Sequence, residues 1–180
     1  TGVTDFAKTC SSLVIPDKIN GIDVSVIGNR AFSNCSKLKS VTIGNSVSSI
    51  GDGAFSGCMG LIGVIIGNSV TSVGRSAFYD CAGLTSVYYT GDIAGWCGIT
   101  GLSNIIMWSS RDIYINGKKV EGELVIPNSV KSISASAFYG CARLTSVTIG
   151  NSVTDIGQSA FKNCTELTSV TIPDSVTRIG

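Results

Sequence analysis

The dipeptide Ala-Phe returns at Ala31-Phe32, Ala54-Phe55, Ala77-Phe78, Ala137-Phe138 and Ala160-Phe161, and its surroundings return with it. Three residues after each Phe stands a cysteine: Cys35, Cys58, Cys81, Cys141 and Cys164. Three further on stands a leucine: Leu38, Leu61, Leu84, Leu144 and Leu167. Five before each Phe stands Ile27, Ile50, Val73, Ile133 or Ile156. The step from Phe32 to Phe55, from Phe55 to Phe78 and from Phe138 to Phe161 is 23 residues each time. A unit this short cannot bury its own apolar side. It must stack on copies of itself, with parallel strands ~4.8 Å apart, so that the apolar sides join into one core.

Within each unit, Val41-Thr42-Ile43, Val147-Thr148-Ile149 and Val170-Thr171-Ile172 alternate in the manner of strands. Val47 with Ile50, and Val153 with Ile156, mark a second short extended piece after a turn near Gly44-Asn45 or Gly150-Asn151. The Ser-Ala-Phe-x-x-Cys segment is too short for a full helix and reads as one helical turn. Phe32, Phe55, Phe78, Phe138 and Phe161 are expected as a core file running the whole length, with the Leu, Val, Ile and Cys files beside it. Asn45, Asn68, Asn128, Asn151 and Asp174 share one turn position and read as turn formers bonding to nearby backbone.

The Ala-Phe-x-x-Cys-x-x-Leu blocks, with phrases such as Leu144-Thr145-Ser146-Val147-Thr148-Ile149, closely resemble the Treponema pallidum-type, or BspA-like, leucine-rich repeat. The resemblance covers most of the chain. It implies an α/β leucine-rich-repeat solenoid, β-rich, whose coils wind as a right-handed superhelix with Leu-x-x-Val-x-Ile strands on the concave side and short helical turns. The opening stretch, from Leu13-Val14-Ile15-Pro16 to Ile27, resembles a repeat with about five extra residues before Val24.

The period breaks once. Phe78 and Phe138 lie 60 residues apart, one 23-residue step plus 37. Inside this interval, Ile93 to Ile99 reads as a short helix carrying Trp96 inward, and Asn116-Gly117 as the turn of a local hairpin. Residues 1–180 are therefore expected as one domain, with regular coils over about 13–89 and 124–180 and a modified coil over about 90–123. The chain stops at Arg178-Ile179-Gly180, just before another Ala-Phe is due, which points to a piece of a longer protein.

Composition narrows function by exclusion. Charged residues are 14% and the net charge is +1, so no basic face for nucleic acid is written in the sequence. The densest apolar stretch, Leu61 to Ile66, is far short of the ~18 residues of a membrane helix. Histidine is absent, which removes triads with a His base and the common zinc sites. Six of the seven cysteines obey the repeat register. Stacked equivalents have parallel Cβ vectors, poorly placed for disulfides or for convergent metal ligands, so buried thiols are expected. Asp52, Asp80, Asp155 and Glu166 fall in different files, and no acid pair forms for general acid–base work. Asp92, Asp112, Glu121 and Glu123 share the modified coil and read as a solvated loop. No catalytic residue, metal ligand or cofactor is expected.

Binding is better supported. If Val and Ile of each strand face inward, Thr42, Ile65, Tyr88, Val125, Thr148 and Thr171 face out as one row, with an apolar middle. The modified coil would bring Tyr89, Trp108 and Tyr114 beside it, and aromatics are efficient interface anchors. The competing reading is that Ser and Thr merely suit exposed strand positions. With the surface context that the resemblance implies, the expectation is a non-catalytic extracellular or cell-surface recognition module. Its partner would be a host or extracellular-matrix protein or a glycan. The alternatives are a carbohydrate-active or glycan-binding solenoid and a structural spacer.

Overall fold

The computed structural model describes residues 10–106 and 111–180. Outward and inward positions alternate along each strand, and the inward ones form files. Strands Ser12–Ile15, Ser40–Ile43, Gly63–Ile66, Ser86–Tyr89 and Asp112–Ile115 pair in parallel, so that Leu13, Val41, Val64, Val87 and Ile113 lie side by side in the core. The short strand Lys118–Lys119 turns back and pairs antiparallel with Asp112–Ile115, which closes a six-stranded sheet. A separate sheet holds Gly122–Ile126, Leu144–Ile149 and Ser169–Thr171, again parallel.

Across the core, two smaller parallel sheets back these faces. One is Val26–Ile27, Ser49–Ile50 and Ser72–Val73; the other is Ser132–Ile133, Asp155–Ile156 and Arg178–Ile179. The buried apolar residues between front and back form a continuous cluster from Leu13 to Ala160. Ring stacking follows the coil spacing: Phe32 on Phe55 at 5.3 Å, Phe55 on Phe78 at 5.1 Å, and Phe138 on Phe161 at 5.4 Å between centroids.

Three expectations are corrected. The files do not run as unbroken sheets through the molecule; they form two blocks. The hairpin strand Lys118–Lys119 occupies the bonding edge that Gly122–Ile126 would otherwise take. The Ala-Phe-x-x-Cys segment is not a helical turn but a succession of tight turns. Ala54, Ser56 and Cys58 each donate their N–H to the carbonyl three residues back, and Gly53 and Gly57 have φ of 61° and 74°. Left-handed residues recur there at Arg30 and Asn34, and at Ser76 and Asp80, which breaks any helix. The freed amides reach the next coil instead, as Phe32 N–H does to Ala54 O at 2.8 Å. The asparagines likewise bond between coils, not locally. Asn45 Oδ1 accepts from Asn68 N–H at 3.1 Å, and Asn128 Oδ1 accepts from Asn151 N–H at 2.8 Å. Asn29 and Asp52 run a second such ladder, accepting from the N–H of Asp52 and Arg75 at 2.8 and 2.7 Å.

The modified coil joins the blocks. Its helix, Ile93–Gly98, starts at Asp92, whose Oδ1 accepts from Gly95 N–H at 2.8 Å. Trp96 is fully buried, and its Nε1–H donates to Ala137 O in the next block at 2.8 Å. Ser134 N–H donates to Cys97 O at 3.0 Å. On the other side, Thr100 bridges to Ser72. The hairpin turn at Asn116 and Gly117 has φ of 48° and 73°, the pair of left-handed values that a two-residue turn demands. The extra residues of the opening coil do the same: Lys18–Ile19 pairs antiparallel with Ile22–Asp23 around Asn20 and Gly21.

Candidate functional site: the outward face of the strands

On the six-stranded sheet, strand register places Val14, Thr42, Ile65, Tyr88 and Tyr114 in one outward file. Val14 is 64% exposed, and Ile65 and Tyr88 are 38% exposed, so the file presents apolar surface to solvent. The Tyr88 and Tyr114 rings stack at 4.5 Å with 17° between their planes. That distance is close to the strand spacing, so the sheet itself sets the pair. On the other flank of Tyr88 lies its register partner Ile65, and a Cβ at Gly63 would stand 3.8 Å from the ring, an ordinary contact. Beyond Tyr114 in the hairpin lies Lys119, whose Nζ pairs with Asp112 at 2.8 Å. That carboxylate raises the ammonium pKa.

Val125, Thr148 and Thr171 form an outward file of their own on the second sheet, and Val125 is not the strand neighbour of Tyr88. The single row expected from the sequence is therefore two. Tyr89 belongs to neither. It points into the core, 2% exposed, with its hydroxyl donating to Asn68 O at 3.0 Å and its ring against Trp96. The alternation already carried this signal, because Tyr89 holds the inward position of Ile43 and Ile66. Trp108 lies outside the described residues. Val14, which the sequence reading left out, begins the file.

Where the sheets part, a cleft of about 410 Å³ opens. Its walls come from both blocks: Ile93, Asn116 and Lys118 on one side, Glu123 and Val125 on the other, with Asp92 and Glu121 at its border. Among the described residues, no three His, Cys, Asp or Glu side chains converge to hold a metal ion. Three other carboxylates have structural tasks. Asp155 pairs with Arg178, Asp23 with Lys18, and Asp17 accepts from Ser46 N–H at 3.0 Å.

None of the seven cysteines forms a disulfide. Cys58, Cys81 and Cys164 donate at 3.2 Å to the carbonyls of Phe32, Phe55 and Phe138, each 26 residues back. Burial pushes the Cys97 thiol up to about 12 and Cys164 up to about 11, and raises Cys141 as well. Thiols raised in this way, Cys97, Cys141 and Cys164, are packing groups and weak donors, not nucleophiles. Among the described residues, the arrangement offers a surface for contact and no assembled acid, base or nucleophile.

Stacked 23-residue coils with an exposed strand face define a leucine-rich-repeat solenoid. The chain belongs to the BspA type leucine rich repeat family, whose model matches residues 6–95 and 114–180 in six copies. The family is generally non-catalytic. The leucine rich repeat protein of T. pallidum is similar in structure, with a TM-score of 0.54 at 26% identity over 93% of this chain and 72% of that one. A leucine rich cell surface protein of Faecalibacterium prausnitzii aligns with a TM-score of 0.49 at 24% identity, over 89% of this chain and 47% of that one. A leucine-rich repeat protein of Bacteroides ovatus aligns with a TM-score of 0.44 at 20% identity, over 92% of this chain and 46% of that one. The chain thus spans less than half the length of the last two. No curated protein sequence matches it. No helix among the described residues is long and apolar enough to cross a membrane.

Proposed function

We propose that this chain is a non-catalytic recognition module of a secreted or cell-surface protein, binding its partner through the six-stranded face and the modified coil. The observation that carries the reading is the outward file Val14, Thr42, Ile65, Tyr88 and Tyr114, which ends beside the cleft between the sheets. Apolar side chains held in register on a rigid sheet lose little entropy on contact, and tyrosines combine contact area with a hydrogen-bonding tip. Family membership supplies the surface context. Of the two partner classes, a host or extracellular-matrix protein is favoured over a glycan. A sugar lies against an aromatic face, and here the facing sides of Tyr88 and Tyr114 are spent on each other.

The test is a binding screen of the chain against extracellular-matrix proteins and a glycan array, with the Tyr88→Ala, Tyr114→Ala double variant beside it. A hit weakened at least tenfold in the variant supports the strand face. A hit that survives moves the site elsewhere. Binding to glycans alone overturns the preference for protein, and cleavage of a polysaccharide overturns the non-catalytic reading.

A further inference from the structure

The cleft where the sheets part has a strand edge on each side, and among the described residues neither edge is paired across it. In the regular coils an inward residue accepts from the coil after it, as Ile15 O does from Gly44 N–H at 2.9 Å and Ile66 O from Thr90 N–H at 3.0 Å. Leu124 and Ile126 hold those inward positions in Gly122–Ile126 and bond toward Leu144–Ile149. Outward Glu123 and Val125 therefore turn their N–H and C=O groups the opposite way, into the cleft, because bonding direction alternates along a strand. Across the cleft, Val120 N–H donates to Ile113 O at 2.8 Å. Tyr114 and Lys119 are thus the non-hydrogen-bonded pair of the hairpin, and Lys119 points its N–H and C=O away from the first sheet. Pro127, at the place of Gly44 in its coil, has no N–H and ends the open edge.

We infer that this gap receives an extended segment of a partner polypeptide as an added strand, paired along Glu123 and Val125 and carrying a lysine or arginine. Unpaired N–H and C=O groups in a row are the template for strand addition, and main-chain bonds supply its affinity. The space, about 410 Å³, admits a short segment. Ile93, Ile115 and Leu124 in its lining suit an apolar side chain, and Val125 beside them is 56% exposed. Charge selects the segment. Lys119 is engaged by Asp112 at 2.8 Å, which leaves Lys118 against Asp92, Glu121 and Glu123 around the opening. The excess is negative, so a basic side chain is drawn in and an acidic one repelled. The inference deepens the proposed function and rests on its preference for a protein partner. It adds a contact that the strand-face file does not supply, since neither Tyr88 nor Tyr114 lines the cleft.

For the test, a phage-displayed library of random heptapeptides is selected on the whole chain, and the strongest binder is synthesised and titrated into it while amide hydrogen exchange is followed by NMR. In the free chain the Val125 amide is expected to exchange faster than that of Thr148, which lies in the parallel ladder. The selected peptide should carry Lys or Arg and slow Val125 exchange on the order of tenfold or more. Val125→Pro removes the free N–H without removing a bond to Leu144–Ile149, and should weaken binding about tenfold, whereas Val125→Thr should not. The Tyr88→Ala, Tyr114→Ala double variant should bind the peptide as the parent does. A loss there, with Val125 exchange unchanged, moves the peptide to the strand face and overturns the inference while the proposed function stands. The inference is equally overturned by a selection without binders, by a binder that leaves Val125 exchange unchanged or survives Val125→Pro, or by binders as strong without Lys or Arg. A peptide held at Val125, with no hit among matrix proteins, supports the edge site and counts against the strand-face reading. The exchange readout uses the unaltered chain, so it decides the matter even if Val125→Pro does not fold.

Discussion

Phe55 sits between two phenylalanines, fully buried, with ring centroids 5.3 Å from Phe32 and 5.1 Å from Phe78. Its carbonyl also accepts from the Cys81 thiol. Phe55→Ala removes one ring from a close-packed file and leaves a cavity, which should cost about 3–5 kcal/mol. Asn45→Ala removes one acceptor for Asn68 N–H in an exposed ladder and should cost only about 1 kcal/mol. Urea unfolding monitored by far-UV circular dichroism ranks the two; a reversed order would make the polar ladder, not the ring file, the main support of the stack. The phenylalanine file was legible because a strict spacing permits one packing solution. The asparagine bonds were not, because an Asn side chain bonds its own turn as readily as its neighbour's. Only stacking decides between the two. Tyr89 was misread for a different reason: aromatic character outweighed an alternation that already assigned it inward.

The element that matters most is the irregular one. Repeats in a solenoid touch only their neighbours, so the stability of the array depends on each interface. Between the regular blocks the interface rests on the helix Ile93–Gly98, with Trp96 filling the core and donating to Ala137 O. Trp96→Ala should cost about 3–5 kcal/mol by cavity formation and leave one carbonyl without its donor. It should also split the unfolding. Hydrogen exchange is expected to report one common opening for residues 12–89 and 124–179 in the parent chain and two separate ones in the variant. Trp96→Phe, which keeps most of the bulk, should lose less and still open as one. A single opening in Trp96→Ala would mean that the Thr100 bridge and the Ser134 bond to Cys97 hold the blocks together without the ring. The helix and hairpin here were legible from local signals. The parting of the sheets was not, since it follows from which strand wins an edge, a competition between segments that no local pattern records.

At the scale of the whole molecule, the absence of histidine leaves the buried thiols to set the alkaline limit. Burial holds Cys97 and Cys141 neutral, with pKa values raised in the folded state, Cys97 to about 12. In the unfolded chain a thiol ionises near its ordinary value of ~8.5. Below that pH both states carry the proton and stability is unaffected. Above it the unfolded state releases protons that the folded state keeps, so stability must fall as pH rises, on the order of 1–2 kcal/mol per buried thiol by pH 10. Tyr89, whose hydroxyl pKa is also raised by burial, adds to the decline at higher pH. Arg111 acts in the opposite sense, but only beyond about pH 10, where the folded state would lose a proton that the unfolded state retains. The interval from pH 8.5 to 10 therefore isolates the thiols. Urea midpoints measured across it should fall steadily, and Cys97→Ala should make the slope shallower even though the variant starts from a lower stability. A midpoint independent of pH over that interval would place these thiols in contact with water, and the close-packed cysteine positions along the stack would then have to be abandoned.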